Sequence, residues 1–477
     1  MIDAGWRVIE GQVPGKDFIV TFPASLYLLT AGSFRIFGVT WHGLALTTCA
    51  VCVTLCLLGM RVASILGVRW GRAVALQVAT VYVASQCILL VSINVVWHSS
   101  LAESFGIYAV LTTAALLSLS EEHVWLRREL TGHLVLASTA LILSKPNTAY
   151  PALALCLFAL HRGNFRPRYW MGVLAAAFLL ASIPLAVVHV SLWGMLEAYV
   201  GLSGRLLPKP LVVNLVYQVE ARNGLAELVV YAVLLFGLKE FVTSIRRDWR
   251  GMLSSPLEVL AVGSAVVGLL GMATNFDVKL TDTPLVLMGM MLFCTTSVRA
   301  TRSQLWTTRN ALIFLCLVAV YFGRVRIRMQ SVGNWAAEGC TPKVWIDDRF
   351  LGHMKVCPVV VDSLTEIDNA MARVPAGDHV FFGPALEFLY ARDRTASPEH
   401  LPNWWDAGTS FARSKSNTVL KAWRDDHFDV LIFVAGAKDP LLPGMIDDIR
   451  NDYVMVPGPR EIEVYVRRGE SLRPASP

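Results

Sequence analysis

Residues 3–27 read DAGWRVIEGQVPGKDFIVTFPASLY, and this is the stretch whose residue types indicate chemistry as well as membrane contact. It carries two aspartates, Asp3 and Asp17, among turn-forming glycines and a proline. The segment over about 18–38 is apolar, and Pro23 opens a helix within it. Polar residues interrupt that segment, so we interpret it as a helix lying at the membrane interface rather than as a span.

Composition places the chain in a membrane. Of its 477 residues, 55% are hydrophobic and 16% are charged, and the mean hydropathy is +0.51. A soluble domain does not need that much apolar surface, so we predict a polytopic membrane protein. The net charge of +6 is therefore no indication of nucleic-acid binding. No cysteine or histidine spacing resembles that of a metal site.

Apolar runs predict about ten membrane spans. We place them at about 43–60, 73–92, 103–119, 132–145, 147–160, 170–193, 226–242, 257–274, 283–298 and 310–323. Several are shorter than the roughly 20 residues of a straight span, so their ends are approximate. The domain boundaries that follow are 1–42 for a first extracytoplasmic loop with its interfacial helix, 43–323 for the transmembrane domain, and 331–470 for a C-terminal domain.

The basic residues predict the orientation. Lys and Arg gather at every second connection, starting with Arg61, Arg69 and Arg72, and basic loops stay in the cytoplasm. The alternate connections, at about 93–102, 145–147, 194–225 and 275–282, then face outward, as do both ends of the chain. Arg324, Arg326 and Arg328 run against this assignment, and we interpret them as contacts to lipid headgroups or to the fold.

The C-terminal region has a different pattern. Short apolar runs such as HVFFGPALEFLYA and FDVLIFVAG alternate with turn residues and helical stretches. This pattern is typical of a compact α/β domain, which we place outside the membrane. Cys340 and Cys357 lie in it, and an oxidising compartment would allow a disulfide between them. The alternative is two free, buried thiols.

Three motifs resemble those of a known family. Asp-x-Gly at residues 3–5, G-x-x-P-x-x-D-F at 11–18 and P-x-x-L-Y at 23–27 look like the first extracytoplasmic loop of GT-C glycosyltransferases, near the protein-mannosyltransferase and aminoarabinose-transferase group. S-K-P-N at 144–147 and the pair FFGPALEFLYA and LPNWWDAGTSF at 381–411 are similar to segments of the same group. The resemblance implies an α-helical polytopic membrane protein of GT-C-like fold with a C-terminal extracytoplasmic α/β domain.

The resemblance also implies an activity. Such enzymes take a sugar from a polyprenyl-phosphate donor and add it to a glycan, lipid or protein acceptor outside the cytoplasm, here at the inner (plasma) membrane of a cell. An acidic residue of the first loop serves as base, which makes Asp3 the first candidate and Asp17 the second. Glu103 is a third, at a looser match. The plain alternatives are turn carboxylates and, for Glu103, a favourable charge near a helix start. Some relatives use a divalent metal, which the sequence does not decide.

Cations near the outer surface are candidates for holding the donor phosphate. Lys145 is the first, because Pro146 breaks the helix beside it and a lysine at the bilayer centre would cost roughly 2.5–3.5 kcal/mol. The outward loop 194–225 adds Arg205, Lys209 and Arg222, and His98 stands beside Trp97. Snorkelling, contacts to lipid headgroups and interface anchoring explain the same residues equally well.

Two other classes of protein remain open. A transporter or flippase of lipid-linked glycans would show internal repeats and charges buried within spans, whereas here the ionisable residues gather at the outer mouth. An O-antigen-ligase-type enzyme would use a diphosphate donor and one large outward loop. The GT-C relatives have a helix before the first loop, so we expect either a start upstream of Met1 or a protein that lacks this helix.

Overall fold

A computed structural model describes residues 2–20, 23–91, 98–203, 255–273, 285–286, 288–289, 292, 343–405, 410–411, 413–436, 438, 441–456 and 461–470. For 88–91, 98–100, 198–203 and 272–273 it describes the backbone alone. The chain divides into two compact units. Unit 1 comprises 1–47, 184–207 and 331–477, and unit 2 comprises 48–183 and 208–330.

Two helices of unit 1 come from the N-terminal stretch, α1 (Ile2–Ile9) and α2 (Ala24–Phe37). They pack closely: a Cβ atom added at Gly5 of α1 would lie only 2.3 Å from Cγ2 of Thr30 on α2. The helix expected over 18–38 therefore exists but begins only at Ala24, after Pro23 in extended conformation. Helix α1 was not predicted, since eight residues are too few to show a clear helical period.

The C-terminal part of unit 1 is an α/β region, as the sequence predicts. Its strands are β1 (Val344–Asp348), β2 (Gly352–Val356), β3 (Val380–Phe382), β4 (Val430–Val434), β5 (Tyr453–Val456) and β6 (Ile462–Arg467). The first two form an antiparallel hairpin, and the others form a sheet of order β3-β4-β6-β5. Strand β4 pairs in parallel with β3 and antiparallel with β6.

Helices complete unit 1. They are α9 (Leu192–Ser203), α11 (Pro358–Arg373), α12 (Phe388–Asp393), α13 (Ser416–Asp425) and α14 (Pro443–Asp452). Proline at the first position of α11 and α14 suits a helix start, where its missing N–H has no intrahelical partner to lose. Helix α11 buries Val360, Leu364 and Ile367 at three- and four-residue spacing, which is the pattern of a helix with one apolar face.

Unit 2 is helical in its described part. Its helices are α3 (Trp41–Trp70, which starts in unit 1), α4 (Arg72–Val91), α5 (His98–Ser118), α6 (Val124–Ile142), α7 (Pro146–Arg162), α8 (Pro167–Val187, whose last residues belong to unit 1) and α10 (Pro256–Ala273). Helix α5 contacts α4, α6, α7 and α10 and is almost wholly buried. It is the central helix of the bundle.

The helices agree with the predicted spans in position and differ at their ends. Helix α3 runs ten residues beyond the predicted end at 60, and α6 starts before 132, because both continue through basic residues that the hydropathy excludes. Helix α8 ends at Val187 rather than 193, and α9 occupies the start of the expected loop 194–225. The spans predicted at 226–242 and 310–323, and most of 283–298, lie outside the described residues.

Length and apolar composition allow three of the described segments to cross a bilayer: Trp41–Trp70, Leu101–Ser118 and Pro167–Val187. The first and the third of these keep large apolar side chains on the surface, for example Leu57, Leu179 and Ile183 at 62%, 69% and 57% exposure. Such side chains fit a hydrocarbon environment better than water.

Candidate functional site

Two motif segments that lie far apart in the sequence meet in unit 1. We call residues 2–20 the N-terminal segment and residues 395–402 the partner loop. Indole Nε1 of Trp6 donates to the carbonyl oxygen of Thr395 at 2.8 Å, and the side-chain amide of Gln12 donates to that of Ser397 at 2.6 Å. Backbone hydrogen bonds continue the contact from Ile19 N–H to Leu401. The contact therefore joins the DAGWR…PGKDF and FFGPALEFLYA…LPNWW motifs.

Asp3 is at the centre of this contact. Its Oδ2 accepts a 2.7 Å hydrogen bond from Nε of Arg7, one helical turn along α1. Its Oδ1 accepts a 2.6 Å hydrogen bond from the hydroxyl of Ser397. Both Asp3 and Arg7 are 1% exposed, and Arg7 also donates to the carbonyl oxygen of Pro398. The carboxylate is thus buried, ion-paired and engaged at both oxygens.

Asp17 lies at the surface of the same contact. It is half-buried, and its Oδ2 accepts the N–H of Val13 at 2.8 Å, which closes a turn in which Gly15 has a φ of 83°. Its backbone oxygen accepts the N–H of His400 from the partner loop. Among the residues that the structure describes, no side chain bonds to its other carboxylate oxygen. Asp17 is therefore held in place and still reachable from solvent.

A third carboxyl group, Glu387, was missed by the sequence analysis. It precedes α12, and its Oε1 is buried without a hydrogen-bond partner in the described part of the chain. Burial raises the pKa of Glu387 from 4.5 to about 8, and the negative charge of Asp3 acts in the same direction. The available signal was an acid flanked by apolar residues in GPALEFLYA. The carboxyl group of Glu387 is thus predominantly protonated at neutral pH.

A fourth acid, Asp426, lies at the end of α13. Burial raises its pKa from 3.8 to about 6, against the opposing effects of His379, Arg7 and His400. Its Oδ2 is buried and has no hydrogen-bond partner among the described residues. The surroundings of the partner loop therefore carry several titratable groups of both signs.

Unit 2 has a polar point of its own inside an apolar bundle. Glu103 of α5 is 1% exposed, and its Oε2 accepts the N–H of Leu285 at 3.3 Å. A Cβ atom at Gly271 of α10 would lie 3.4 Å from Glu103 Oε1 and 3.0 Å from Oγ1 of Thr148 on α7. Three helices therefore converge on this carboxyl group, and a carboxyl group inside an apolar bundle usually has a function.

Lys145 directly precedes α7. Pro146 is the first residue of that helix and the lysine is half-buried, so the expected break is present. Its carbonyl oxygen accepts the N–H groups of Thr148 and Ala149 at 3.4 and 3.0 Å. Lys145 and Glu103 belong to the same unit, since Glu103 lies on α5 and Lys145 directly precedes α7, which contacts α5.

The structure describes the other predicted residues only in part. His98 is the first residue of α5, and the structure describes only its backbone. Arg205, Lys209, Arg222 and Cys340 lie outside the described residues. Cys357 is 3% exposed and disulfide-bonded, while its pairing with Cys340 stays a prediction. Trp405 is 2% exposed and its ring lies edge-on 5.5 Å from that of Phe381, whereas Trp404 is 37% exposed.

The acids of either unit do not form a group of three metal-ligand atoms among the described residues. One such group exists there, made of Cys52, Cys56 and Cys87 of unit 2.

Comparison with known proteins gives a fold. No family model matches the chain, and no curated protein does. The crystal structure of ArnT from Cupriavidus metallidurans in the apo state aligns with a TM-score of 0.51 at 10% identity, over 97% of this chain and 92% of that one. The fold is GT-C-like. ArnT bound to undecaprenyl phosphate aligns with a TM-score of 0.46 at 11% identity, over 95% and 89% of the two chains.

Proposed function

We propose that the chain is a membrane glycosyltransferase that takes a sugar from a polyprenyl-phosphate donor and transfers it to a glycan, lipid or protein hydroxyl group on the extracytoplasmic side. The observation that carries this proposal is the GT-C-like fold, which extends over 97% of the chain rather than over one domain. The motifs of the N-terminal segment and the partner loop add to it, because the fold brings them together.

The proposed reaction needs a base more than an acid. The acceptor oxygen forms a bond to the anomeric carbon of the donor sugar while the bond from that carbon to the phosphate oxygen breaks. The bonding electron pair leaves with the phosphate, which is already stable as an anion. The acceptor proton goes to a carboxylate, and such a base contributes about 10²–10⁴-fold to the rate.

Asp3 remains the first candidate for this base by its motif position, with Asp17 second and Glu103 third. The geometry gives each a distinct test. Asp3 would work as a base that Arg7 orients, Asp17 is reachable from solvent, and Glu103 is a buried carboxyl group among the helices of unit 2. Lys145 is the proposed contact to the donor phosphate, together with Arg205, Lys209, Arg222 and His98.

Transfer from radiolabelled undecaprenyl-phosphate sugars in membranes that contain the full chain tests the proposal. Asp3→Asn should lower turnover by about 10²–10⁴-fold at an equal amount of folded protein. Asp17→Asn and Glu103→Gln, measured beside it, assign the base to another carboxyl group if Asp3→Asn retains activity.

Arg7→Gln is the matched control, because it breaks the same ion pair and leaves the Asp3 carboxylate in place. If Asp3 served only as the partner of Arg7, both variants would lose activity in proportion to the loss of folded protein. Failure of the folded wild-type chain to transfer sugar from any monophosphate donor would contradict the proposed function and favour a ligase or a transporter.

A further inference from the structure

Three thiols meet inside unit 2, outside the acidic sites described above. Cys52 and Cys56 lie one turn apart on α3, and Cys87 lies on α4. Their Sγ atoms all lie within 4.8 Å of one another. Cys52 is buried, and Cys56 and Cys87 are half-buried. None of the three is in a disulfide. We call these residues the thiol cluster.

The packing of α3 against α4 holds the thiol cluster together. The hydroxyl group of Tyr82 on α4 donates to the carbonyl oxygen of Leu55 on α3 at 3.1 Å. Gly59 lies against the same tyrosine, since a Cβ atom there would come within 2.0 Å of the ring. Tyr82 is fully buried. The two helices therefore contact each other along the same stretch that carries the three cysteines.

The spacing suits one small cation. With metal–sulfur bonds of about 2.3 Å, three sulfurs around one ion at 120° lie about 4 Å apart. The observed upper limit of 4.8 Å needs only small side-chain rotations to reach that value. Sulfur ligands select soft cations such as Cu(I) and zinc over calcium or magnesium. The three sulfurs found among the described residues supply the full ligand set of a trigonal Cu(I) ion, whereas tetrahedral zinc would take a further ligand.

We propose that the thiol cluster binds one monovalent copper ion. All three thiols release their protons as they bind, because the thiolate is the form that ligates a metal, so the occupied site carries a net charge of −2. No change of oxidation state occurs. The ion would link α3 to α4, and this property is separate from glycosyl transfer.

The test is anaerobic titration of the purified full chain in detergent with Cu(I), supplied in competition with a coloured Cu(I) chelator. One equivalent should bind, and X-ray absorption should show three sulfur neighbours. Cys52→Ser, Cys56→Ser and Cys87→Ser should each weaken binding by at least roughly 100-fold, above the loss that follows a change outside the ligand shell.

Cys49→Ser is the matched control, since Cys49 lies on the same helix, is exposed and is not part of the cluster. It should leave the affinity unchanged. Thermal unfolding and a count of reactive thiols verify that each variant is folded and reduced. Absence of tight Cu(I) binding by the reduced, folded wild type, or equal loss in Cys49→Ser, would overturn the proposal.

Discussion

Glu387 illustrates what a single acid with a buried carboxyl oxygen does to stability. The folded chain holds its proton up to about pH 8, whereas the unfolded chain releases it near the ordinary value of 4.5. Its contribution is therefore fully present below that ordinary value and is lost as the pH rises through the folded value. We expect the midpoint of thermal unfolding of the full chain to fall over this range, and Glu387→Gln to reduce that slope.

Glu470→Gln is the control for this measurement, because Glu470 is an exposed acid of the same unit. It should leave the slope as in the wild type. An unchanged slope in Glu387→Gln would show that the buried carboxyl group is not the titrating group.

Residue chemistry was only partly readable from the sequence. Motifs single out Asp3 and Asp17, but the partner of Asp3 is Ser397, 394 positions away, and no local pattern reports such a contact. Arg7 was not selected, although its place four residues after Asp3 on a helix predicts an ion pair. The thiol cluster was missed for the same reason as Ser397, since the third cysteine comes from another helix.

At the scale of elements, the contact between α1 and α2 depends on a glycine. A methyl group at Gly5 would lie 2.3 Å from Cγ2 of Thr30, which is a collision, and 3.1 Å from the backbone nitrogen of Ala31. Gly5→Ala should therefore lower the free energy of unfolding by about 1–3 kcal/mol, the usual range for overpacking. Thermal or denaturant unfolding of the detergent-solubilised chain measures it.

Gly32→Ala on α2 supplies the comparison. Nothing lies within 4 Å of a Cβ atom there, so the gain in helix propensity acts alone. It should raise the free energy of unfolding by up to about 1 kcal/mol. Equal destabilisation by both substitutions would refute close packing as the reason.

One arginine links a strand and two helices of the α/β region. Arg392 of α12 donates to Asp348 at the end of β1 at 2.8 Å, to Asp368 of α11 at 2.7 Å and to Asp393 at 3.0 Å. The side chains of Asp348 and Asp393 are 3% and 5% exposed. Arg392→Met would leave the buried charge of Asp348 without a guanidinium, whereas Asp393 would keep that of Arg349 at 2.6 Å. We expect a loss of about 3–5 kcal/mol in the free energy of unfolding.

Arg424→Met removes an ion pair of the same kind at the surface. Its guanidinium bonds both oxygens of Asp448 at 2.9 Å, and its side chain is 57% exposed. Solvent screens this pair, so the change should be much smaller than that of Arg392→Met. Similar losses in the two variants would contradict the argument from burial.

Elements were easier to predict than their ends. Apolar runs predicted α3 to α8 and α10, and short β-rich runs predicted the C-terminal sheet. Both predictions were possible because helices in a bundle and strands in a sheet need apolar residues where they are buried. The ends failed where helices continue through charged residues such as Arg61 and Arg127. The break between α8 and α9 was missed because His189, at a positive φ of 56°, is not a residue type that marks a turn.

For the whole molecule, the distribution of Lys and Arg predicts which side of the membrane each part occupies. A reporter enzyme that is active only outside the cytoplasm, inserted in the turn at Glu121 and Glu122 before α6, should be inactive. The same reporter fused after the C-terminal α/β region should be active. The opposite pattern, with both fusion proteins present in equal amounts, would reverse the proposed orientation.

The hydrogen bond between Asp3 and Ser397 can form only late in the synthesis of the chain. A ribosome adds about 5–20 residues per second, so the 394 positions between the two side chains correspond to about 20–80 seconds of synthesis. Throughout that interval the N-terminal segment exists without the loop that later covers it. A chain that stalls or is cut before residue 395 would thus expose Trp6 and Arg7 to proteases.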